Sequence, residues 1–253
     1  MEFLQTFFAS LFSLGDPSAS SVSIPTALEF AAVLAGAVSG ALCACSIKLD
    51  LIGVCVLAIA SSLGGGVVRD MILSDQGVYM LDHPEAVLAC LAVALLAFFF
   101  ASAFKRFERA ISLFDIVSVA LFTVTGADKA LVAGYGVFAG IMLGMLTAVG
   151  GGVLRDVMVG RVPAIFRASN FYAVCTFAGA SVYCVLAESH MVKGWAAVLG
   201  IFSVLLLRYL SLRFDWQTCA PIDLIERYEQ RLDDTHETRD AGCTSSQDST
   251  TEK

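Results

Sequence analysis

"GGGVVRD" occupies residues 64–70, and "GGGVLRD" occupies residues 150–156. Each copy sets three glycines and an Arg-Asp pair at the end of a long apolar run. Glycine weakens a helix and charge is costly in hydrocarbon, so a string of this kind written twice marks a repeated structural unit. Sliding the chain on itself by the same 86 residues extends the match. Glu29 falls on Asp115, Gly40 on Gly126, Ala41 on Ala127, Ala44 on Ala130 and Leu57 on Leu143, with no gap from 28 to 71.

The surroundings of the repeat decide the class of protein. Of the 253 residues 57% are hydrophobic and 15% charged, with a mean hydropathy of +0.77. Soluble domains run at about 45–50% apolar and about 25% charged. Several apolar runs reach the roughly 20 residues that cross a bilayer, which excludes a soluble all-helical protein. Apolar runs and breakers predict seven spans, at about 26–45, 50–74, 85–104, 113–131, 135–158, 169–187 and 193–213. The expected fold is therefore an all-α integral membrane protein with seven transmembrane helices. Two three-helix repeats cover residues 26–107 and 108–190, and a seventh helix, in 191–214, stands outside them. Three is odd, so the second unit enters the membrane upside down, as in many transporters and channels.

Cytoplasmic loops collect Lys and Arg. Lys48 follows span 1, Lys105, Arg106 and Arg109 follow span 3, Arg161 and Arg167 follow span 5, and Arg208 and Arg213 end span 7. The opposite loops carry Asp75, Asp82, Glu85 and Glu188, with Lys193 as their one lysine. This pattern puts the N-terminus outside and the C-terminus in the cytoplasm. Residues 1–25 are apolar but carry Glu2 and no basic n-region, so they read as an interfacial extracytoplasmic segment rather than a signal peptide.

The net charge of −7 belongs mostly to residues 215–253, which hold ten acidic and four basic side chains. That composition predicts an acidic, largely disordered cytoplasmic tail, and no basic stripe suggests nucleic acid. A chain ending near Gln217 is expected to keep its oligomer and its flux, and loss of the oligomer on size exclusion would give the tail a packing role. The eight cysteines fall mostly inside apolar runs and read as small packing residues. The sequence offers no metal-ligand cluster, no P-loop, no GxGxxG after a strand and no converging catalytic set, so neither an enzyme nor a cofactor is expected.

Chemistry then rests on the intramembrane charges and the glycines. The triplets Gly64, Gly65, Gly66 and Gly150, Gly151, Gly152 admit two readings. They can pack helices closely, or they can bend spans 2 and 5 and turn carbonyls toward a wet path. Their symmetric recurrence beside an arginine favours kinks that line a pore. Arg69, Asp70, Arg155 and Asp156 are then pore-end charges. Neighbouring helix residues do not face each other, so each arginine needs a partner elsewhere. Depth and repeat position point to Glu29 for Arg69 and Asp115 for Arg155; the alternative is that both arginines snorkel to headgroups. Asp128 and Lys129 lie within span 4, where the first repeat has Leu42 and Cys43. Lys129 is a candidate gate, drawn aside by Asp128 or, better placed, by a carbonyl on span 2 or 5; its alternative is a snorkelling anchor. Ser61, Ser62 and Thr147 either line the path or bond back to their own helices.

The doubled GGGxxRD, the acidic start of each unit, Asp50 heading span 2, "GADKA" at 126–130 and the seventh helix together resemble the bacterial relatives of the trimeric intracellular cation (TRIC) channels. They also resemble bacterial inner-membrane proteins with paired glycine-transporter-type domains. The resemblance covers about residues 26–213. It departs at Glu29, where the pattern usually has Asp, and at Gly136, the repeat mate of Asp50. It implies a homotrimer in the bacterial inner membrane, surrounded by lipid, with one pore inside each protomer. Potassium or sodium ions would permeate as cargo, and Lys129 would stand near the path. A secondary transporter for a small zwitterion such as glycine uses the same architecture, so fold does not separate the two. A structural membrane protein is the third reading, disfavoured by the cost of keeping unused charge in the membrane.

Overall fold

The computed structural model describes residues 26–74, 77–100, 107–166, 171–189 and 192–214. The N-terminal segment and the acidic tail of the sequence reading lie outside them. Eight α-helices are described: α1 Thr26–Ser46, α2 Leu51–Leu73, α3 Tyr79–Asp82, α4 Pro84–Phe100, α5 Phe107–Val132, α6 Val137–Met158, α7 Tyr172–Glu188 and α8 Lys193–Arg213. A short 3₁₀ turn, Ala164–Phe166, follows α6.

Five of these, α1, α2, α5, α6 and α8, are long and apolar enough to cross a membrane. The helices α4 and α7 are apolar but have only 17 residues each. At 1.5 Å per residue that is about 25 Å, the short end of what spans a bilayer. The expected spans 3 and 6 are thus present as described apolar helices.

The two central helices are α1 and α5. The first packs against α2, α4 and α5, and the second against α1, α6, α7 and α8. Ser118 donates to the carbonyl of Ala32 at 3.1 Å, and Ser39 to that of Ile111 at 3.3 Å. As one number rises the other falls, so α1 and α5 run antiparallel. Both helices bury small residues: Ala32, Ala37, Ala41 and Ala44 on α1 and Ala120, Ala127 and Ala130 on α5 are fully buried. Large apolar side chains face outward instead, among them Ile52, Met71, Leu88, Phe99, Phe138 and Phe202. Small residues inside and large ones outside is the arrangement of a helix bundle in lipid.

The repeat is visible in the backbone. Lys48 and its mate Gly134 both take a positive φ (60° and 84°), as do Ser74 and its mate Gly160 (37° and 68°). Only the second unit places glycine at these left-handed turns, where it fits at least cost. Asp50 caps α2 by accepting from the backbone N–H of Gly53 at 2.9 Å. Gly136 starts α6 with no side-chain cap. The unduplicated acidic residue is therefore a helix cap.

The expected kinks do not take the form of unwound backbone. Helices α2 and α6 run without a break through residues 64–66 and 150–152. There is no unwound backbone at either triplet, because the glycines are spent on a crossing. A Cβ built at Gly65 would overlap the carbonyl oxygen of Thr147, and one at Gly151 would overlap that of Ser61. Thr147 is the repeat mate of Ser61, so the pseudo-two-fold axis passes through this contact. A Cβ at Gly64 would strike the Leu154 side chain, and one at Gly150 would sit 3.1 Å from Gly65 Cα. The same symmetry holds one layer away. A Cβ at Gly40 would come within 2.7 Å of Ser61, and one at Gly126 within 2.7 Å of Thr147.

Candidate functional site: two buried charge clusters

The third glycine of each triplet has a different neighbour. Gly66 faces Arg69, and Gly152 faces Asp115 and the hydroxyl of Tyr172. Each triplet thus joins the crossing to a charge cluster one turn further on.

The first cluster gathers the start of α1, the end of α2, the end of α5 and α3. Arg69 is fully buried. Its Nη2 donates to Glu29 Oε1 at 2.6 Å and its Nε to Asp70 Oδ1 at 2.7 Å. Lys129 Nζ lies 3.2 Å from the same Glu29 oxygen and 3.5 Å from the same Asp70 oxygen. It also stands 5.2 Å from the centre of the Tyr79 ring. The other Asp70 oxygen accepts the backbone N–H of Tyr79 at 2.9 Å. Two cations and two anions share one buried network, so neither Arg69 nor Glu29 is left as a lone charge.

The second cluster gathers the start of α5, the end of α6, α1 and α7. Arg155 Nη1 donates to Asp115 Oδ1 and to Ser39 Oγ, both at 2.8 Å, and its Nε donates to Asp156 Oδ1 at 3.1 Å. Asp156 Oδ2 accepts the backbone N–H of Ala164 at 3.1 Å, and the Tyr172 hydroxyl donates to Asp115 Oδ2 at 3.0 Å. In both units the aspartate of GGGxxRD therefore receives the first N–H of the helical turn that follows its span. Asp115 and Lys129 both lie on α5, 14 residues or about 21 Å apart. The clusters stand at opposite ends of the bundle.

Three site expectations change in detail. Arginine and aspartate, though adjacent, do touch, because a guanidinium on a long stem curls back to its neighbour's carboxylate. Lys129 is held by the carboxylates of Glu29 and Asp70 rather than by a glycine-triplet carbonyl. Asp128 does not latch it. Asp128 accepts from the Tyr183 hydroxyl at 2.6 Å and lies 3.9 Å from Lys193 Nζ, so it ties α5 to α7 and α8.

Of the polar residues before the triplets, Thr147 donates back to Leu143 at 2.6 Å. Ser62 donates to Ala58 at 2.8 Å and meets Cys90 Sγ at 3.1 Å. Buried Ser61 lends its carbonyl to the crossing. A narrow cavity with room for about one water lies beside the first cluster. Glu29, Ser62, Gly66, Asp70 and Tyr79 line it. Tyr79 and Tyr172 were missed from sequence because neither has a repeat mate of like chemistry, and Ser39, whose mate is Thr125, was missed because it lies far from the GGGxxRD motif in the chain. Among the described residues no group of His, Cys, Asp or Glu is arranged to hold a metal. The six described cysteines are free, four of them buried.

An inverted pair of three-helix units, crossed at glycine and closed at each end by a buried charge cluster, defines a multi-pass membrane protein of the transporter and channel class. The family described as glycine transporter matches twice, at residues 26–102 and 112–188, the same offset of 86. A UPF0126 membrane protein of Deinococcus radiodurans is 38% identical over 74% of this chain and 86% of its own length. The UPF0126 inner membrane protein YadS of Escherichia coli is 29% identical over 70% of this chain and 86% of its own. Among solved structures, the TRIC trimeric intracellular cation channel orthologue from Rhodobacter sphaeroides superposes with a TM-score of 0.71 at 34% identity, over 74% of this chain and 96% of its own. The chain belongs to the UPF0126 family of paired glycine-transporter-domain membrane proteins, which is related to the prokaryotic TRIC channels.

Proposed function

We propose that this protein is a homotrimeric, potassium-permeable cation channel of the bacterial inner membrane. Each protomer carries its own path, running past the crossing of α2 and α6 between the two clusters. The N-terminus lies outside and the C-terminus in the cytoplasm, as the basic loop residues suggest. The likeness to a trimeric cation channel orthologue at 34% identity supports the class and the trimer, and the inner-membrane relative supports the location.

The observation that carries the reading is Lys129. It is the one cation of its cluster that is not fully buried, with a side chain 23% exposed against 0% for Arg69. It bridges two carboxylates that also line the narrow cavity. A lysine held there repels a passing cation by about 4 kcal/mol at 4 Å for an effective dielectric of 20. Its rearrangement within the cluster would lift that barrier while Arg69 keeps both acids paired.

In liposomes, Lys129→Gln is expected to raise potassium flux or weaken its closure. The family's description favours a second reading, a carrier for glycine, in which Lys129 holds the substrate carboxylate. That reading predicts loss of glycine uptake with potassium leak unchanged. Unaltered flux of both would make Lys129 a simple anchor and end the gating account. As it stands the cavity holds about one water, so both readings need an opening, and the carrier reading needs the larger one.

A further inference from the structure

The two clusters differ in their charge. Glu29 and Asp70 face Arg69 and Lys129, two acids against two bases. Among the described residues Asp115 and Asp156 share a single ion-pair partner, Arg155, because the repeat mate of Lys129 is Cys43. An unbalanced negative charge among side chains only 8–15% exposed is costly in a membrane. Arg161 follows Asp156 in the chain but is exposed, where water screens it.

We infer that Arg208, on the helix outside the repeat, is the missing second cation, acting on this cluster through the Tyr172 ring. The Arg208 guanidinium carbon lies 4.6 Å from the centre of that ring, and the Tyr172 hydroxyl donates to Asp115 at 3.0 Å. A phenol that donates to a carboxylate gains electron density, which strengthens its pull on a cation over its face. The first cluster also sets a cation, Lys129, beside a tyrosine ring, Tyr79, but there the lysine meets the acids directly and the tyrosine gives its backbone N–H to Asp70. The tyrosines are not repeat mates, since 86 residues separate Tyr79 from Ile165 and Tyr172 from Ala86. The second unit has therefore recovered from α8 the charge that its repeat position lacks. Arg208 is a positioning residue for the cluster. On the reading proposed above, which this step alone requires, a fixed cation then stands at both ends of the path.

The test is charge compensation, read as thermal melting of the purified full-length protein in detergent. Arg208→Gln is expected to lower the melting temperature by roughly 5 °C, and Arg208→Lys, which keeps the charge, by less than half as much. Adding Asp156→Asn to Arg208→Gln returns the cluster to balance and is expected to recover most of the loss. Asp156 does not touch Tyr172, so such recovery reads charge rather than packing. The same Asp156→Asn change gives no recovery to Lys129→Gln at the other end. Wild-type melting of Arg208→Gln, or a further loss on adding Asp156→Asn, overturns the inference. If Arg208→Gln alone cannot be purified, the double variant must be recovered folded, and its failure overturns the inference equally. Melting needs no flux, so a protein that conducts no cation yet shows this compensation would refute the proposed channel and leave the charge pairing standing.

Discussion

Gly65→Val and Gly151→Val are each expected to abolish the assembled protein, whereas Gly66→Ala is expected to leave it folded. At Gly65 the added carbon meets the Thr147 carbonyl, and at Gly151 that of Ser61. Both obstacles are backbone in the middle of a helix, so no rotamer change clears them. The helices must part, and every contact along the crossing is lost with them. Overpacking in a core costs about 1–3 kcal/mol where side chains can yield, so these substitutions belong at or above that limit. Against a total stability of about 5–15 kcal/mol that is a large fraction.

At Gly66 the nearest atom to an added Cβ is Arg69 Nη2, at 3.8 Å, an ordinary contact. Alanine there also recovers up to about 1 kcal/mol of helix propensity. Fluorescence-detected size exclusion and melting separate the cases. If Gly66→Ala proved as damaging as Gly65→Ala, conformational freedom rather than close approach would be the purpose of the triplet. Gly66 lines the cavity, so its alanine variant is expected to carry less flux even though it folds.

The fold was legible in the sequence because its unit is long and its repeat ungapped. Three apolar runs followed by the same three again leave one topology, and the odd count fixes the inversion. The charge partners were legible for a related reason. A buried arginine needs an acid at its own depth, and each unit offers one at its start: Glu29 for Arg69, Asp115 for Arg155. What three glycines do was not legible. The same triplet serves an unwound helix or a close crossing, and only the position of Thr147 and Ser61 on the facing helix decides between them. The partners of Lys129 were obscured by treating sequence neighbours as strangers. Asp70 takes part in both its own arginine's bond and the lysine's, and spacing on one helix says nothing about a third helix arriving beside it. Tyr172, on α7, has Ala86 as its repeat mate, and Arg208 lies on α8, outside the repeat, so the repeat points to neither.

The second large effect concerns the arginines themselves. Arg69→Gln leaves Glu29 and Asp70 buried with Lys129 as their only remaining described cation, a change of the kind that costs about 3–5 kcal/mol. Arg155→Gln is expected to cost less. Its cluster is more open, with side chains 8–15% exposed against 0–8% for Arg69, Asp70 and Glu29, so water replaces part of what is lost. Charge reversal tests the pairing itself. Arg155→Asp alone sets three carboxylates together and is expected to prevent recovery of the oligomer. Adding Asp115→Arg restores one opposite pair 40 residues apart in the chain and brings the oligomer back in part. The recovery stays partial for a reason the geometry supplies: Asp156 then adjoins a second aspartate, and the Tyr172 hydroxyl faces a guanidinium where it had donated to a carboxylate. Oligomer yield and melting of the three proteins, measured side by side, check this. No gain from the second substitution would mean that Asp115 is held in place by Tyr172 and that its bond to Arg155 is incidental.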